Sequence, residues 1–477
     1  MRILTTVCAI SGLLTAVSTA ALAQATSDNI AVIDQIGSDN SALIDQTGTR
    51  NFAGADDRPM LQDGIYNDID TAQTGTQNSI GLGADGVTQL GRLNTQDIFN
   101  RILIEQSGDS NVVGSIQQQS LGGVANGANT LEIRQTGADR NRVGAVRQIQ
   151  QDGQAPQIAT VSQTGPDNVV TVIEQLSNSA VDADRNTITV RMTGSNNGRI
   201  ALSDYADIPI TTDNGIIQSL GNEDRRSNGN YIDMLITGSD NRFGLRQQGL
   251  RNRADLITLN GDGNQLGLRQ DGTENTFEMG PVDGNENNVG VDQMGTNTAY
   301  VNLNSALLPA RGPALGGNGN RILLVQMGTN DINVTVQGNE NDFTGLQDYD
   351  GATGATRTTA TASITGDQNI GRLTQRGENS FSLSITGSNN NNAGVFNYAG
   401  ATGLLDGDFV QTGENNTTVV DVFGDSNLFA FIQNGDDNEL LTSIIGSNNQ
   451  AAVQQTGAQN FTDLRQSGKG NGALIRQ

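Results

Sequence analysis

The segments Gln433-Asn-Gly435-Asp-Asp-Asn438, Ile444-Ile-Gly446-Ser-Asn-Asn449 and Gln455-Thr-Gly457-Ala-Gln-Asn460 follow one another at a spacing of 11 residues. They lie in the stretch from Phe409 to Gln466, where a series of six consecutive motifs, ending with Gln466-Ser-Gly468-Lys-Gly-Asn471, places glycine at this same spacing. The residue two positions before each glycine alternates between glutamine and an apolar residue through most of the stretch. The complete repeat is therefore two such segments, or 22 residues.

Each segment combines a strand pattern with a turn pattern. After Asn427, the residues Phe429, Phe431 and Gln433 recur at steps of two, which is the spacing of side chains on one face of a β-strand. The Gly-x-x-Asn that follows is typical of a turn, because glycine adopts positive φ at no steric cost and asparagine tolerates the left-handed region. Each repeat is therefore predicted to form strand, turn, strand, turn.

A two-strand repeat of this size cannot bury its own apolar face, so stability requires that repeats stack. Stacked at about 4.8 Å, they would form two facing parallel sheets in which buried glutamine and asparagine amides bond along the axis. The predicted fold class is all-β, a β-solenoid of stacked two-strand rungs with 22–27 residues per rung. Gln247, Gln270 and Gln293 are each 23 residues apart and predict the same register in the middle of the chain.

The composition favours an elongated array over a globular core. The chain has 477 residues, 35% hydrophobic content, 4% aromatic content and a net charge of −24. A disordered chain can have such a composition, but it does not keep a period-two apolar pattern. In an array each rung contacts only its neighbours, so residues 24–477 are expected to form a single solenoid. The acidic balance, with Lys469 as the only lysine, argues against nucleic acid as a partner.

Residues 1–23 are predicted to be a secretory signal peptide. Arg2 precedes an apolar run, and Ala21-Leu-Ala23 places small residues at the cleavage positions, with Ala23-Gln-Ala25 as a second possible frame. The only cysteine, Cys8, lies within this segment, so the mature chain is expected to contain no disulfide. No other segment has 18 consecutive apolar residues, and no membrane span is expected.

The repeat varies in regularity along the chain. Near the start, the motif glycines are spaced by 11, 16, 11, 16 and 17 residues, so every second turn carries extra residues. This pattern predicts that loop insertions lie mainly on one edge of the solenoid. Residues 120–230 are predicted to hold degenerate repeats, and residues 305–317, 348–360 and 397–408 are predicted to be loop insertions. The last unit ends at Gln477, a ladder position, so it is expected to be either an uncovered template for another chain or a frayed terminus.

The recurring Gln-x-Gly-x-x-Asn motif, in an acidic glycine-rich chain with a signal peptide, resembles the curlin repeats of bacterial curli fibre subunits. Thirteen copies carry the full set of glutamine, glycine and asparagine, and others replace glutamine by an apolar residue, as at Ile236, Val336 and Ile385. The resemblance covers most of the chain from Ile30 to Gln477, and it implies a secreted subunit that polymerises into extracellular amyloid fibres of the biofilm matrix. The chain is longer than curlin subunits typically are. Only residues 24–29 stand where those subunits carry an export segment, which places a curli-type export route in question.

Carried over position by position, the resemblance implies a structural ladder formed by the glutamine of each motif and the asparagine five residues after it. The ladder glutamines are Gln35, Gln46, Gln62, Gln73, Gln89, Gln106, Gln163, Gln247, Gln270, Gln411, Gln433, Gln455 and Gln466. The ladder asparagines include Asn40, Asn51, Asn416, Asn438, Asn460 and Asn471. The turn glycines include Gly37, Gly48, Gly413, Gly435, Gly457 and Gly468.

The sequence contains little that points to catalysis. It has no histidine, and it has no cysteine after the signal segment, which removes Ser-His-Asp and Cys-His nucleophile systems and the usual zinc sites. No carboxylate pair stands out as a glycosidase pair. Asp436-Asp437-Asn438 and Gly221-Asn-Glu-Asp224 could supply oxygen ligands to calcium, although turn aspartates more often accept local hydrogen bonds. We therefore predict no enzyme activity, no catalytic residue, no cofactor and no metal site, and calcium at these turns stays an open alternative.

The resulting hypothesis is a secreted structural subunit of an extracellular, curli-like functional amyloid fibre in cell adhesion and the biofilm matrix. The fibre would grow by end-to-end stacking of rungs. The expected partners are further copies of the chain, other curlin-like subunits and an outer-membrane secretion machinery. Two alternatives are a monomeric β-solenoid adhesin that binds a surface or glycan through its edge loops, and a disordered acidic matrix protein.

Overall fold

The structure is a computed structural model. It describes residues 28–83, 86–91, 100–120, 129–137, 139–150, 156–177, 185–208, 213–218, 228–302, 317–348, 358–392 and 394–477. The fold is an all-β solenoid, in which successive strands alternate between two sheets and pair in parallel. The chain divides into two compact units: unit 1 is Met1–Leu202 with Ile210–Arg253, and unit 2 is Ser203–Pro209 with Ala254–Gln477. In both units the strands alternate between two sheets, which we call sheet A and sheet B. Each sheet takes its strands from one half of the repeat.

The strands of unit 1 are short and closely follow the motif. In chain order they are β1 (Ile30–Ala31), β2 (Ile33–Ser38), β3 (Ser41–Thr49), β4 (Phe52–Ala53), β5 (Met60–Ile65), β6 (Asn67–Thr76), β7 (Ser79–Ile80), β8 (Val87–Gly91), β9 (Asn100–Ser107), β10 (Val112–Ser120), β11 (Thr130–Thr136), β12 (Arg142–Gln150), β13 (Gln157–Thr164), β14 (Val169–Ser177), β15 (Asn186–Thr193), β16 (Ile216–Gln218), β17 (Tyr231–Thr237) and β18 (Arg242–Leu250). Sheet A contains β1, β2, β4, β5, β7, β8, β10, β12, β14, β16 and β18, and sheet B contains β3, β6, β9, β11, β13, β15 and β17.

The strands of unit 2 repeat the same alternation. They are β19 (Arg253–Asn260), β20 (Gln265–Thr273), β21 (Thr276–Met279), β22 (Val282–Asp283), β23 (Asn288–Gly295), β24 (Thr298–Asn302), β25 (Arg321–Gly328), β26 (Asp331–Gln337), β27 (Asp342–Asp348), β28 (Ala362–Thr365), β29 (Ile370–Arg376), β30 (Asn379–Thr386), β31 (Asp408–Thr412), β32 (Asn416–Phe423), β33 (Leu428–Asn434), β34 (Glu439–Ser447), β35 (Gln450–Thr456), β36 (Phe461–Lys469) and β37 (Gly472–Arg476). Sheet A contains β20, β23, β25, β27, β29, β31, β33, β35 and β37, and sheet B contains the others. A short 3-10 helix covers Asp204–Ala206, and the α-helix α1 covers Ala399–Thr402.

The turns explain why the motif contains glycine. Gly435 has φ of +122°, and a Cβ at this position would lie 2.0 Å from the main-chain oxygen of Gly457 on the next rung. Only a residue without a side chain fits this close approach of two stacked backbones. The expectation that asparagine takes the left-handed conformation is wrong, because that conformation belongs to the residue before it, such as Asp437 with φ of +55°. The asparagine side chain is instead buried and held by hydrogen bonds.

The core of each unit lies between its two sheets. Inward residues alternate with outward ones along every long strand, so that Ile102, Ile104 and Ile133 in unit 1 are fully buried. Unit 2 adds a phenylalanine cluster, in which the ring of Phe409 lies 5.3 Å from that of Phe381 and 5.8 Å from that of Phe429, centroid to centroid. The rings of Phe381, Phe409, Phe429 and Phe431 therefore pack together in the interior of neighbouring rungs.

The predicted insertion at residues 397–408 lies on the outer surface of sheet A in unit 2. Phe396 and Leu404 pack there against the outward side chains Leu428, Ala430 and Ala452, and all five are buried. Two hydrogen bonds hold the segment at its start: the main-chain N–H of Asn397 donates to Gln450 Oε1 at 2.9 Å, and Gln450 Nε2 donates to the oxygen of Val395 at 3.0 Å. The other two predicted insertions lie mostly outside the described residues.

Connections in unit 1 differ in length between the two edges. From sheet B to sheet A, four residues lie between Ser107, where β9 ends, and Val112, where β10 begins. From sheet A to sheet B, the chain runs from Ser120 to Thr130 between β10 and β11.

Within the ranges that the structure describes, no helix is long and apolar enough to cross a membrane.

Candidate functional site: amide ladders and end rungs

Sheet A of unit 2 contains an unbroken column of glutamine side chains. The Nε2 of each glutamine donates to the Oε1 of the glutamine on the next rung, over 2.7–3.1 Å. A second N–H of the same amide reaches a main-chain oxygen, as Gln455 does to Glu439 at 3.0 Å. The ladder thus satisfies amides that would each cost about 1–3 kcal/mol if buried without partners. In chain order the column is Gln270, Gln293, Gln326, Gln347, Gln375, Gln411, Gln433, Gln455 and Gln477.

Unit 1 carries glutamine columns in both sheets. In sheet A, amide bonds join Gln35 to Gln62 and Gln62 to Gln89. A second series of bonds joins Gln148, Gln175, Gln218 and Gln247 in turn. Gln118 is buried between these runs, in register with Gln89 and Gln148. In sheet B, bonds of 2.7–2.9 Å join Gln46, Gln73, Gln106, Gln135 and Gln163. The first rungs of the molecule therefore have an amide ladder on each side of the core.

The predicted ladder glutamines all lie in these columns or, for Gln466, at the equivalent place in sheet B of unit 2. Spacing placed Gln293 and Gln477 at column positions, but sequence reasoning did not assign the column members Gln118, Gln148, Gln175, Gln218, Gln326, Gln347 and Gln375. At Gln326 and Gln375 the turn is one residue shorter, with asparagine two positions after glycine. At Gln118 and Gln148 there is no glycine two positions later, where the motif has it. An aliphatic residue two positions before glutamine, such as Ile116 before Gln118, is the signal that would have found several of them.

In sheet B, the column position changes from glutamine to apolar residues. Met192 lies in register beside Gln163 and is followed by Ile236 in unit 1. In unit 2 the column contains Val336, Ile364, Ile385, Val422 and Ile444, and it returns to glutamine at Gln466. Gln466 Nε2 donates to the oxygen of Gln450 at 3.0 Å. Its Oε1 is buried without a donor in the described part of the chain, because the column neighbour is Ile444.

The asparagines of the turns form further ladders at the two edges. The main-chain N–H of Asn438 donates to Oδ1 of Asn416 at 3.2 Å, and its Nδ2 donates both to the same oxygen and to the oxygen of Gly457. Asn460 and Asn471 bond in the same way to the asparagine of the preceding rung. At the start of the chain, the N–H groups of Asn67 and Asn78 donate to Asn40 and Asn51 at 3.1 Å.

One predicted asparagine differs from the pattern. A spacing of five residues after Gln89 gives Asn94, which lies outside the described residues. The column position is held by Asn100, whose Nδ2 donates to Asn67 Oδ1 at 3.2 Å and whose own oxygen accepts from Asn129. The longer connection between β8 and β9 therefore shifts the ladder residue along the sequence without changing its place in the column.

The ladders have a direction, so the first and last rungs differ in the groups they present. In the glutamine-to-glutamine bonds, Nε2 donates to the glutamine on the C-terminal side, whereas the main-chain N–H of each column asparagine donates to the asparagine on the N-terminal side. At the first described rung, Gln35 and Gln46 therefore direct Oε1 outward. At the last rung, Gln466 and Gln477 each donate one N–H to a main-chain oxygen and have a second N–H directed along the column.

Outward-facing charges form ion pairs between neighbouring rungs. Glu105 lies in register beside Arg134 with 3.1 Å between their charged atoms, and Arg269 lies beside Asp292 at 3.5 Å. Burial raises the pKa of the Asp292 carboxyl, and this effect outweighs the lowering by Arg269. At the exposed edge of unit 1, hydrogen bonds from Arg140 lower the pKa of Asp167.

Among the described residues, no group of three or more histidine, cysteine, aspartate or glutamate side chains is arranged to hold a metal ion. The comparison with protein families matches the curlin associated repeat to residues 18–56. This segment includes the first two copies of the motif, with Gln35 and Gln46. No curated protein matches the chain.

Proposed function

Because this chain is a curlin-repeat protein, we propose that it is a secreted structural subunit of an extracellular curli-like amyloid fibre. Copies would add end to end, so that the two sheets and their amide ladders continue from one molecule into the next. The role of the fibre would be cell adhesion and cohesion of the biofilm matrix. The ladder glutamines and asparagines and the turn glycines are proposed as the residues on which this assembly depends.

The observation that carries this proposal is the edge of the last rung. Among the described strands, β36 is paired only with β34, and β37 is paired only with β35. The side chains along β37 are exposed or half-buried, including Leu474 at 40%. A strand edge with main-chain groups and apolar side chains is a template for a further strand. Stacked glutamine columns add amide bonds to the same contact.

The route to the cell surface follows from the predicted signal peptide. Residues 1–23 lie outside the described residues, and we propose that they direct export to the periplasm. Passage through the outer membrane would require a secretion machinery as a partner. Other curlin-like subunits are proposed as additional partners in the fibre, and no enzymatic role, cofactor or metal is part of the proposal.

A second candidate is a monomeric solenoid adhesin. The segment on the outer surface of sheet A exposes two large apolar side chains, Val395 at 76% and Leu405 at 60%. Such side chains on an edge insertion could contact a surface or a glycan. In this case the solenoid would act as a rigid support and would not need to polymerise.

The purified chain without residues 1–23 distinguishes these functions. A fibre-forming subunit should develop thioflavin fluorescence after a lag, lose that lag when preformed fibres are added, and give a fibre reflection at about 4.7 Å. A protein that stays monomeric with a strand circular dichroism spectrum would support the adhesin and contradict the fibre. A random-coil spectrum would contradict both.

A further inference from the structure

The first and last rungs of the chain are closely matched in sequence. Asn29 to Gln46 reads NIAVIDQIGSDNSALIDQ, and Asn460 to Gln477 reads NFTDLRQSGKGNGALIRQ. The asparagine, glutamine and glycine positions of the motif are the same in both segments, and the segment ends are ALIDQ and ALIRQ. The two rungs therefore present columns of the same kind, although sheet B has apolar residues at this position at Met192, at Ile236 and from Val336 to Ile444.

The two segments differ in the sign of the charge next to each ladder glutamine. Asp34 and Asp45 each precede a ladder glutamine in the first rung, whereas Arg465 and Arg476 precede the ladder glutamines in the last. Asp34, Asp45, Arg465 and Arg476 are all exposed. When one copy is stacked on another with glutamine over glutamine, each arginine of one end therefore lies beside an aspartate of the other.

The protein already uses this arrangement between its own rungs. Glu105 and Arg134 are the residues before Gln106 and Gln135 and lie 3.1 Å apart, with their backbones in register. Arg134 also bonds to Glu132 in its own strand, two positions earlier. Arg465 bonds to Asp463 in the same way, so this contact leaves the pairing with a neighbouring rung possible.

The second example lies in sheet A. Arg269 and Asp292 precede Gln270 and Gln293, and their charged atoms are 3.5 Å apart. Opposite charges beside a glutamine ladder are therefore compatible with the rung spacing in either sheet and in either order. Cross-strand pairs of opposite charge favour register, and like charges at the same place oppose it.

We propose that the partner of the last rung is a second copy of this chain, joined head to tail so that it continues the coil. Residues 29–46 of the second copy lie over residues 460–477 of the first, with Asp34 beside Arg465 and Asp45 beside Arg476. This inference rests on the proposed fibre function, and it specifies the polarity of the fibre and the register in which two copies meet. Two first rungs or two last rungs do not join, because like charges and like amide groups would meet.

The continuous coil selects this register over a second one. In a solenoid, the strand after β37 belongs to sheet B, so the first strand of the next copy lies over β36 and its β3 lies over β37. One constant offset then aligns all eighteen residues, and Asn40 of the second copy lies over Asn471. Stacking sheet A on sheet A would pair Asp34 with Arg476 and Asp45 with Arg465, and it would leave a step in the coil.

Charge reversal in the full secreted chain tests the proposal. At low salt, R465D/R476D and D34R/D45R are each expected to elongate their own seeds about tenfold more slowly than the wild type, and the loss should shrink in high salt. A mixture of the two variants should recover growth, because arginine ends then meet aspartate ends. The control R142D/R185D makes the same charge change at two exposed arginines outside the end rungs and should grow as the wild type does.

A second pair of variants tests the register. R465D/D34R restores both ion pairs in the continuous coil, and R465D/D45R restores them in the sheet-on-sheet alternative. We expect wild-type growth only for R465D/D34R, with circular dichroism confirming that all variants fold. Growth of R465D/D45R alone, or charge-reversed variants that grow as the control does, would overturn the proposal. If the wild type itself forms no fibres, the proposed function fails. This outcome is distinguishable from a failure of the proposed join, in which the wild type forms fibres but the variants do not behave as expected.

Discussion

In unit 2, the same position of the repeat is filled in two different ways by the two sheets. In sheet A it carries an amide ladder from Gln270 to Gln477, and in sheet B it carries aliphatic residues such as Ile385, Val422 and Ile444. Both columns keep the same register, because turns of the same kind set the height of each rung. The comparison teaches that a column needs like residues on neighbouring rungs more than it needs a particular residue. Where the two kinds meet, at Gln466, a buried acceptor is left without a donor.

The largest effect is expected at the turns, on which both columns depend. Gly435→Val places a side chain on a residue with φ of +122°, where even a Cβ would lie 2.0 Å from the oxygen of Gly457. We expect a loss of more than about 4 kcal/mol in the free energy of unfolding, or no folding at all. Thermal unfolding followed by circular dichroism measures this loss.

The control for the turn is Gly400→Ala, where a Cβ would meet no atom within 4 Å. It should unfold within about 1 kcal/mol of the wild type. Fibre growth should also be slowed more by Gly435→Val with Gly457→Val than by Gln433→Leu with Gln455→Leu. Equal growth of these two double variants would refute the account of the turn.

The next effect separates the two columns. Gln433→Leu removes the acceptor of Gln411 Nε2 and the donor to Gln455 Oε1, so two buried amides each lose a partner. The expected cost is about 2–4 kcal/mol. Ile444→Leu, at the equivalent place in sheet B, should cost less than about 1.5 kcal/mol because it is apolar and conserves volume. Urea unfolding of both variants gives the comparison, and similar losses would show that the amide ladder adds no stability.

A smaller effect concerns the join between the two kinds of column. Ile444→Gln introduces an amide that can donate to the unpaired Oε1 of Gln466, whereas Ile385→Gln introduces one between Ile364 and Val422. Both variants replace an isoleucine of the same column by glutamine, so both lose the same amount of apolar burial. Ile444→Gln should therefore be less destabilising than Ile385→Gln by about 1–3 kcal/mol. The reverse order of unfolding midpoints would contradict like-on-like stacking.

Replacing Gln466 tests the same join in the opposite direction. Gln466→Leu removes the buried unpaired acceptor and continues the aliphatic column of Ile444, so the folded chain should gain about 1 kcal/mol. Fibre growth should nevertheless slow, because the join to Gln35 of the next copy loses its amide bond. For this one variant, calorimetry should therefore show a more stable fold, while seeded growth should show slower elongation. A variant that is both less stable and slower would contradict this explanation of Gln466.

The smallest effect lies on the outer surface. The raised pKa of Asp292 means that burial disfavours its charged form in the folded chain, so the aspartate favours folding at low pH and loses this contribution as pH rises through the raised value. Asp292→Asn should therefore be more stable than the wild type at pH 7, by less than about 1 kcal/mol, and the difference should vanish at pH 3. A loss of stability at pH 7 would show that the pair with Arg269 dominates.

The sequence was sufficient for the rungs whose motif is complete, and less so where the turn varies. Gln411, Gln433 and Gln455 could be placed from spacing alone, because a strand period and a Gly-x-x-Asn turn repeat without interruption. Gln118 and Gln347 could not, because the residues after them no longer form the motif and the register comes only from the neighbouring rungs.

Two further features depend on contacts that no local pattern encodes. The segment containing Phe396 packs on the outer surface of sheet A through residues more than 20 positions away, such as Leu428 and Ala452. The direction of the ladders was also not readable from the motif, because it depends on which amide atom faces the next rung. This direction makes the first and last rungs different, and it carries the proposed polarity of the fibre.

The most direct test of the central claim is the structure of the fibre itself, determined by cryo-electron microscopy. The account predicts strands perpendicular to the fibre axis at a spacing of about 4.8 Å, with Gln433 and Gln455 stacked inside and residues 29–46 of one copy over residues 460–477 of the next. Fibres in which these glutamines face solvent, or in which copies meet through their sides, would contradict it.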